Sequence, residues 1–194
     1  MDKKQIQEQR MRGYFIEATK NILRSEGVKG ISVRSIADVA GYSFATLYNY
    51  FRDVRQLIFI CVSDFQDECR SGIEQQAAGI PPGKEHLKAV LKGYMEYFTE
   101  YPGIFQLFFI EKLTDISDSR AIADQIYGFL DSLCEADWQH IMDQGNLTPE
   151  IVAMKKQMAN NLTAGILLFY LNRLSPADWQ TFSHQANLQI ESLI

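Results

Sequence analysis

Apolar residues recur along the chain at three- and four-residue steps, and stretches of strict alternation are missing. Phe15, Ala18, Ile22 and Leu23 make one face of a first helix, which Gly27 ends. Val33, Ile36, Ala37 and Ala40 make a second, with Ser32 placed to cap it. Gly41 follows where a helix must end in a left-handed residue, which glycine adopts without steric cost. Ser43 can cap a third, short helix with Leu47 and Phe51 turned inward. Tyr42, Phe44, Thr46, Tyr48, Asn49 and Tyr50 are then left largely for the outside.

Beyond residue 53 the same period continues without a convincing strand. Asp53 can cap a long helix to about Ala78, with Leu57, Ile60, Cys61, Phe65, Cys69 and Ile73 inside. The stretch Gly79-Ile-Pro-Pro-Gly83 breaks it. A helix from about Lys84 carries Leu87, Val90, Leu91, Tyr94, Tyr97, Phe98 and Tyr101 up to Pro102-Gly103. A short aromatic helix runs from Ile104 to about Leu113. The next, from about Ser117 to Gln144, turns Ile122, Ile126, Phe129, Leu133 and Ala136 inward and closes at Gly145-Asn146. Thr148-Pro149-Glu150 reads as N-cap and first turn of a helix to about Leu174. Ser175-Pro176 is the expected start of the last helix, on which Trp179, Phe182, Ala186, Ile190 and Leu193 form the buried stripe. The prediction is an all-α chain of about nine helices, three and then six.

Two short helices joined by a glycine turn hold a helix clear of the protein body, at the width a DNA major groove accepts. Residues 11–60 resemble the N-terminal DNA-binding domain of the TetR family of bacterial transcriptional regulators. The resemblance is carried by the ordered set Ile36-Ala37, Ala40-Gly41, Ser43, Thr46-Leu47-Tyr48 and Phe51, together with the first helix and Leu57. It implies a TetR-like fold, with a helix-turn-helix domain over residues 1–53 and an effector-binding and dimerisation domain over 54–194. It also implies a homodimer through the last two helices and a palindromic double-stranded operator. The stretch 161–171 is apolar nearly all round, so it must be covered on both sides, by its own core or by a partner.

Charge changes the picture once the chain is divided. The whole carries a net −5, unlike a nucleic-acid binder, yet residues 1–55 hold ten Lys and Arg against six Asp and Glu. The basic excess therefore sits with the helix-turn-helix, where phosphate neutralisation needs it. Expected DNA contacts are Arg34, Ser43, Phe44, Ala45, Thr46, Tyr48, Asn49, Tyr50, Arg52 and Arg55. Arg34 suits either a guanine edge or a phosphate, Tyr48 and Tyr50 suit phosphate oxygens, and Thr46 and Asn49 suit base edges or backbone. Phe44 departs from the charged or small residue frequent in the family; it either meets thymine methyls or packs on the first helix. Val54 stands where the family commonly has a lysine directed at phosphate, a contact left to Arg52 or Arg55. Ala45 replaces a frequent glycine.

The second domain is rich in aromatics. The resemblance places an effector pocket among its helices, and Tyr94, Tyr97, Phe98, Tyr101, Phe105, Phe108, Tyr127 and Phe169 are its candidate lining, for an unknown small molecule. No metal or other cofactor is expected, because no cluster has ligand spacing. The three histidines lie far apart, Glu85-His86 and Gln139-His140 read as solvated positions, and no catalytic motif occurs, so an enzyme is not expected. The polar N-terminus and the absence of an 18-residue apolar run predict a cytoplasmic protein with no membrane partner. Three cysteines without CxxC spacing predict reduced thiols. The rival reading is a helical coregulator whose helix-turn-helix docks a protein rather than DNA.

Overall fold

The structure of the protein, a computed structural model, describes residues 2–111, 119–145, 147–172 and 175–194. Among these the architecture is all-helical and TetR-like. The helices are α1 (Lys3–Glu26), α2 (Val33–Ala40), α3 (Phe44–Tyr48), α4 (Val54–Gln76), α5 (Lys84–Glu100), α6 (Pro102–Phe105), α7 (Ser119–Asp143), α8 (Pro149–Leu171) and α9 (Trp179–Leu193). A single 3-10 turn (Val28–Gly30) precedes α2, and a π-helical turn (Gln106–Ile110) continues α6. The expected boundaries at Leu113, Ser117, Asn146 and Leu174 lie outside the described residues.

Packing divides the chain into two compact units. The first comprises 1–66 and 101–126, the second 67–100 and 127–194.

In the first unit, α1, α2, α3 and the start of α4 close over Phe15, Ile22, Ile36, Leu47, Phe51 and Leu57, all almost fully buried. Each such side chain contributes roughly 1.5–3 kcal/mol by leaving water. Ser32 caps α2 as predicted, accepting from the Ser35 amide at 3.0 Å. Gly41 ends it at φ 75° and ψ 27°, the left-handed conformation its position demands. Asp53 caps α4, taking the Gln56 amide at 3.0 Å. Lys20 is nearly buried, and its ammonium lies 3.5 Å from Asp64 and 3.6 Å from Glu17. The α6 segment approaches α1 so closely that a Cβ on Gly103 would lie 2.2 Å from the Leu23 carbonyl oxygen. Only glycine fits there.

In the second unit, α5, α8, α9 and the later part of α7 pack together. Tyr94 and Phe98 stack edge to face at 4.9 Å, and Tyr94 lies 6.0 Å from Phe129. Trp138 is fully buried, whereas Trp179 is 43% exposed beside Phe182. The buried stripe of α7 differs from the predicted one. Leu130, Cys134, Asp137, Trp138 and Ile141 face in, Leu133 is half-buried and Ala136 is exposed. The stripe follows the three- and four-residue step from Ile122, Ile126 and Phe129 onward, and it takes in Asp137, an unlikely core residue by composition, which is fully buried and holds specific partners. Its carboxylate accepts from the Gly83 amide at 2.8 Å and meets His86 Nδ1 at 2.9 Å. His86 is thereby corrected from a solvated position to a half-buried, hydrogen-bonded one.

The last helix also starts later than Ser175-Pro176. Asp178 is its cap: one carboxylate oxygen accepts the Thr181 amide at 2.8 Å and the other the Thr181 hydroxyl at 2.8 Å. Those bonds hold the Asp178 carboxyl below the usual carboxylate range. An ionised cap with two donors outcompetes the neutral serine three residues upstream.

Candidate nucleic-acid interface

The helix-turn-helix is built so that burying one side of α3 fixes what the other side offers. Leu47 and Phe51 anchor it in the core of the first unit. Phe44 is then 63% exposed and Tyr48 53% exposed. Ala45 and Asn49 are exposed beside them, and Thr46 is half-buried. Phe44 is therefore outside the core that joins α3 to α1.

The two hydroxyls at the start of α3 are engaged with each other. Ser43 Oγ accepts the Thr46 amide at 3.1 Å and lies 2.9 Å from the Thr46 hydroxyl. They hold the helix end as a cap, so what α3 presents at its front is the Phe44 ring and the Ala45 methyl.

Tyr50 rests its ring on the head, 6.3 Å from Phe15, and is half-buried. Arg34, Arg52 and Arg55 are all exposed around α2 and the start of α4. Val54 is half-buried and packs against the head core. The apolar side chain at that position has an internal role, and the two flanking arginines carry the charge outward.

Three further residues complete this surface that sequence reading did not single out. Tyr14, 52% exposed, stacks on Tyr42 with ring centroids 5.9 Å apart. Val39 is 55% exposed on α2. Arg12 donates through Nη1 to the Tyr50 carbonyl at 2.5 Å, and its guanidinium lies 4.3 Å above the Phe51 ring. The signal available for Tyr14 was its place next to the buried Phe15, an aromatic off the apolar face. Arg12 gave none, since its partner is 38 residues away.

The candidate effector residues are distributed between the two units. Tyr101, Phe105 and Phe108 belong to the first; Tyr94, Tyr97, Phe98, Tyr127 and Phe169 belong to the second. Tyr94, Phe98, Phe105 and Phe108 are buried, Tyr97 and Tyr101 are half-buried, and Tyr127 and Phe169 point to the surface at 73% and 54% exposure. Burial pushes the Tyr94 hydroxyl well above its ordinary range.

The outer side of α8 is apolar and open. Met154 and Met158 are about half exposed there, as is Phe169. A groove of about 470 Å³ between α8 and α9 is lined by Leu162, Gly165, Ile166, Phe169, Pro176 and Phe182, with Gln185 and Gln189 at its polar edge. A Cβ on Gly165 would touch nothing within 4 Å. Among the described residues nothing crowds that position.

Among the described residues no group of three His, Cys, Asp or Glu could hold a metal ion. No described helix is long and apolar enough to cross a membrane.

Residues 15–59 match the family model for bacterial regulatory proteins of the tetR family. The fold extends that likeness over nearly the whole chain. FadR from Bacillus subtilis, in complex with stearoyl-CoA, superposes with a TM-score of 0.75 at 15% identity, covering 94% of this chain and 97% of that one. A TetR family transcription regulator from Marinobacter aquaeolei VT8 gives 0.68 at 20% identity, over 97% of both chains. RolR in complex with resorcinol gives 0.66 at 16% identity, covering 97% of this chain and 89% of that one. At such identities the likeness establishes the fold, and function has to be argued from the sites.

Proposed function

We propose that this chain, with its TetR-family head and TetR-like fold, is a transcriptional repressor that binds a palindromic operator as a homodimer and responds to a small-molecule effector. The observation that carries the reading is α3. Its core-facing residues are sealed, its outer face is open, and Arg34, Arg52 and Arg55 are exposed on the segments before and after it, on the basic part of the chain. Such an element reads a major groove while the surrounding cations neutralise phosphates.

Tyr48 and Tyr50 bind phosphate oxygens through their hydroxyls, Arg34 binds a phosphate or a guanine edge, and Asn49 meets a base edge or the backbone, while Thr46 is held with Ser43 in the cap of α3. Arg52 and Arg55 supply the cation that Val54 does not. Ser43 orients α3 rather than touching base edges itself. The open apolar side of α8, continued on α9, is the subunit interface, and Gly165 allows close backbone approach across it. Residues 1–53 read DNA, residues 54–194 sense and dimerise, and the protein works in the cytoplasm without a catalytic step.

Effector response is supported by the two ligand-bound structures of the same fold, whose ligands differ widely. In this chain Tyr94, Tyr97 and Phe98, packed against one another within the second unit, are the proposed recognition element. An effector acts by binding the DNA-incompetent arrangement more tightly, by about 1–3 kcal/mol in a typical coupling.

The test is selection from a randomised duplex library at moderate salt, followed by binding at rising salt. Enrichment of a palindrome, with affinity that falls steeply as salt rises, is the expected result. A partner bound through the same face with little salt dependence would instead favour the protein-docking coregulator.

A further inference from the structure

The front of the reading helix holds an unusual set of side chains. From Tyr42 to Tyr48 the chain runs Tyr-Ser-Phe-Ala-Thr-Leu-Tyr, with no arginine, lysine, asparagine or glutamine. These absent types make the bidentate contacts that distinguish guanine and adenine edges in the major groove. The two hydroxyls that might substitute are joined to each other, Ser43 to Thr46 at 2.9 Å. Leu47 is buried. What remains at the leading edge is the 63% exposed ring of Phe44 and the methyl of Ala45.

The one major-groove feature that an apolar group recognises is the 5-methyl of thymine. A phenyl ring left in water gains by being covered, and the net positive charge of residues 1–55 selects a polyanion as the cover. We infer that Phe44, with Ala45 beside it, is a specificity-determining residue that reads thymine methyl groups in each half-site. This rests on the DNA-binding reading above and adds which base it selects, and by which atom.

The test removes the methyl without disturbing pairing. Within the enriched operator, each thymine of the half-site is replaced in turn by deoxyuridine, and dissociation constants are measured for wild type, Phe44→Ala and Phe44→Leu. At one or two positions, wild type should lose about fourfold in affinity for each methyl removed, the worth of one buried CH₂-sized group. Phe44→Ala should bind thymine and uracil duplexes equally, and Phe44→Leu should keep part of the discrimination. An unchanged melting temperature for Phe44→Ala, whose ring is outside the core, excludes a folding defect. The inference is overturned if wild type is indifferent to uracil at every position, or if Phe44→Ala loses as much as wild type does. Failure to enrich any palindrome overturns the DNA-binding reading itself and this inference with it.

Discussion

Arg12 ties the middle of α1 to the end of α3: its Nη1 donates to the Tyr50 carbonyl at 2.5 Å while its guanidinium covers the Phe51 ring at 4.3 Å. The proposed reading helix is only five residues long and cannot hold its own shape in water. Its C-terminal end is therefore held from outside. Arg12→Ala should cost about 1–3 kcal/mol through the lost charged hydrogen bond and ring contact, read as a lower melting temperature. It should also weaken operator binding without changing the oligomeric state. Arg12→Lys should recover little, because an ammonium cannot donate and stack together as a guanidinium does. Unaltered melting and affinity in Arg12→Ala would show the contact to be incidental.

The DNA contacts make a second expectation. Tyr48→Ala and Arg34→Ala should each abolish specific binding, with the dimer intact by sedimentation. A lost phosphate contact also lowers the slope of log affinity against log salt by about one. Full affinity in both variants would remove these residues from the interface.

A third concerns the outer face of α8. Met158 and Phe169 are 47% and 54% exposed in the single chain. If α8 forms the proposed subunit interface, Met158→Glu or Phe169→Glu should yield monomers, because an interface that buries a carboxylate without a partner is heavily penalised. Sedimentation equilibrium reads this directly, and an unchanged association constant would place the interface elsewhere.

Asp137 tests the interior of the second unit. It is fully buried and holds the Gly83 amide and His86 together. Asp137→Ala leaves buried donors unsatisfied and should destabilise the fold by about 1–3 kcal/mol, roughly 2–4 °C of melting temperature per kcal/mol at this size. Asp137→Asn retains one acceptor and should lose less. Equal melting temperatures for all three proteins would show the cluster to be energetically neutral.

The thiols set the alkaline limit. Cys61, Cys69 and Cys134 are all buried. Burial, aided by the nearby Asp64, pushes Cys61 up to about 12, and burial alone pushes Cys69 to about 12; Cys134 is raised as well. Their folded values lie above the unfolded ones, so stability is full below pH 9. It falls as the pH rises from there towards 12, where only the unfolded chain ionises its thiols. Ellman's reagent at pH 8 should find no reactive thiol in the native protein and three after denaturation. Rapid native labelling of Cys69 or Cys134 would mean the second unit opens readily, and of Cys61 the first.

Local chemistry decided what could be read in the sequence. The Ser32 cap, the Gly41 turn and the Leu47 and Phe51 anchors are set by neighbours within a few residues, and they stand where the pattern put them. His86 was misread because its partner lies 51 residues along the chain, beyond the reach of periodicity. The start of α9 was misplaced because Ser175-Pro176 and Asp178 both look like caps; only the two bonds from Thr181 tell them apart. Among the aromatics, spacing could not separate Phe98, fully buried, from Tyr127, almost three-quarters exposed, since both lie on long helices with apolar neighbours.

The chain has two tryptophans, Trp138 sealed in the second unit and Trp179 at its surface, and the first unit has none. Indole fluorescence is therefore blind to the surface that would touch a duplex. A shift in emission on adding operator would have to originate beyond the head, so an unlabelled protein carries its own optical gauge of communication between its parts.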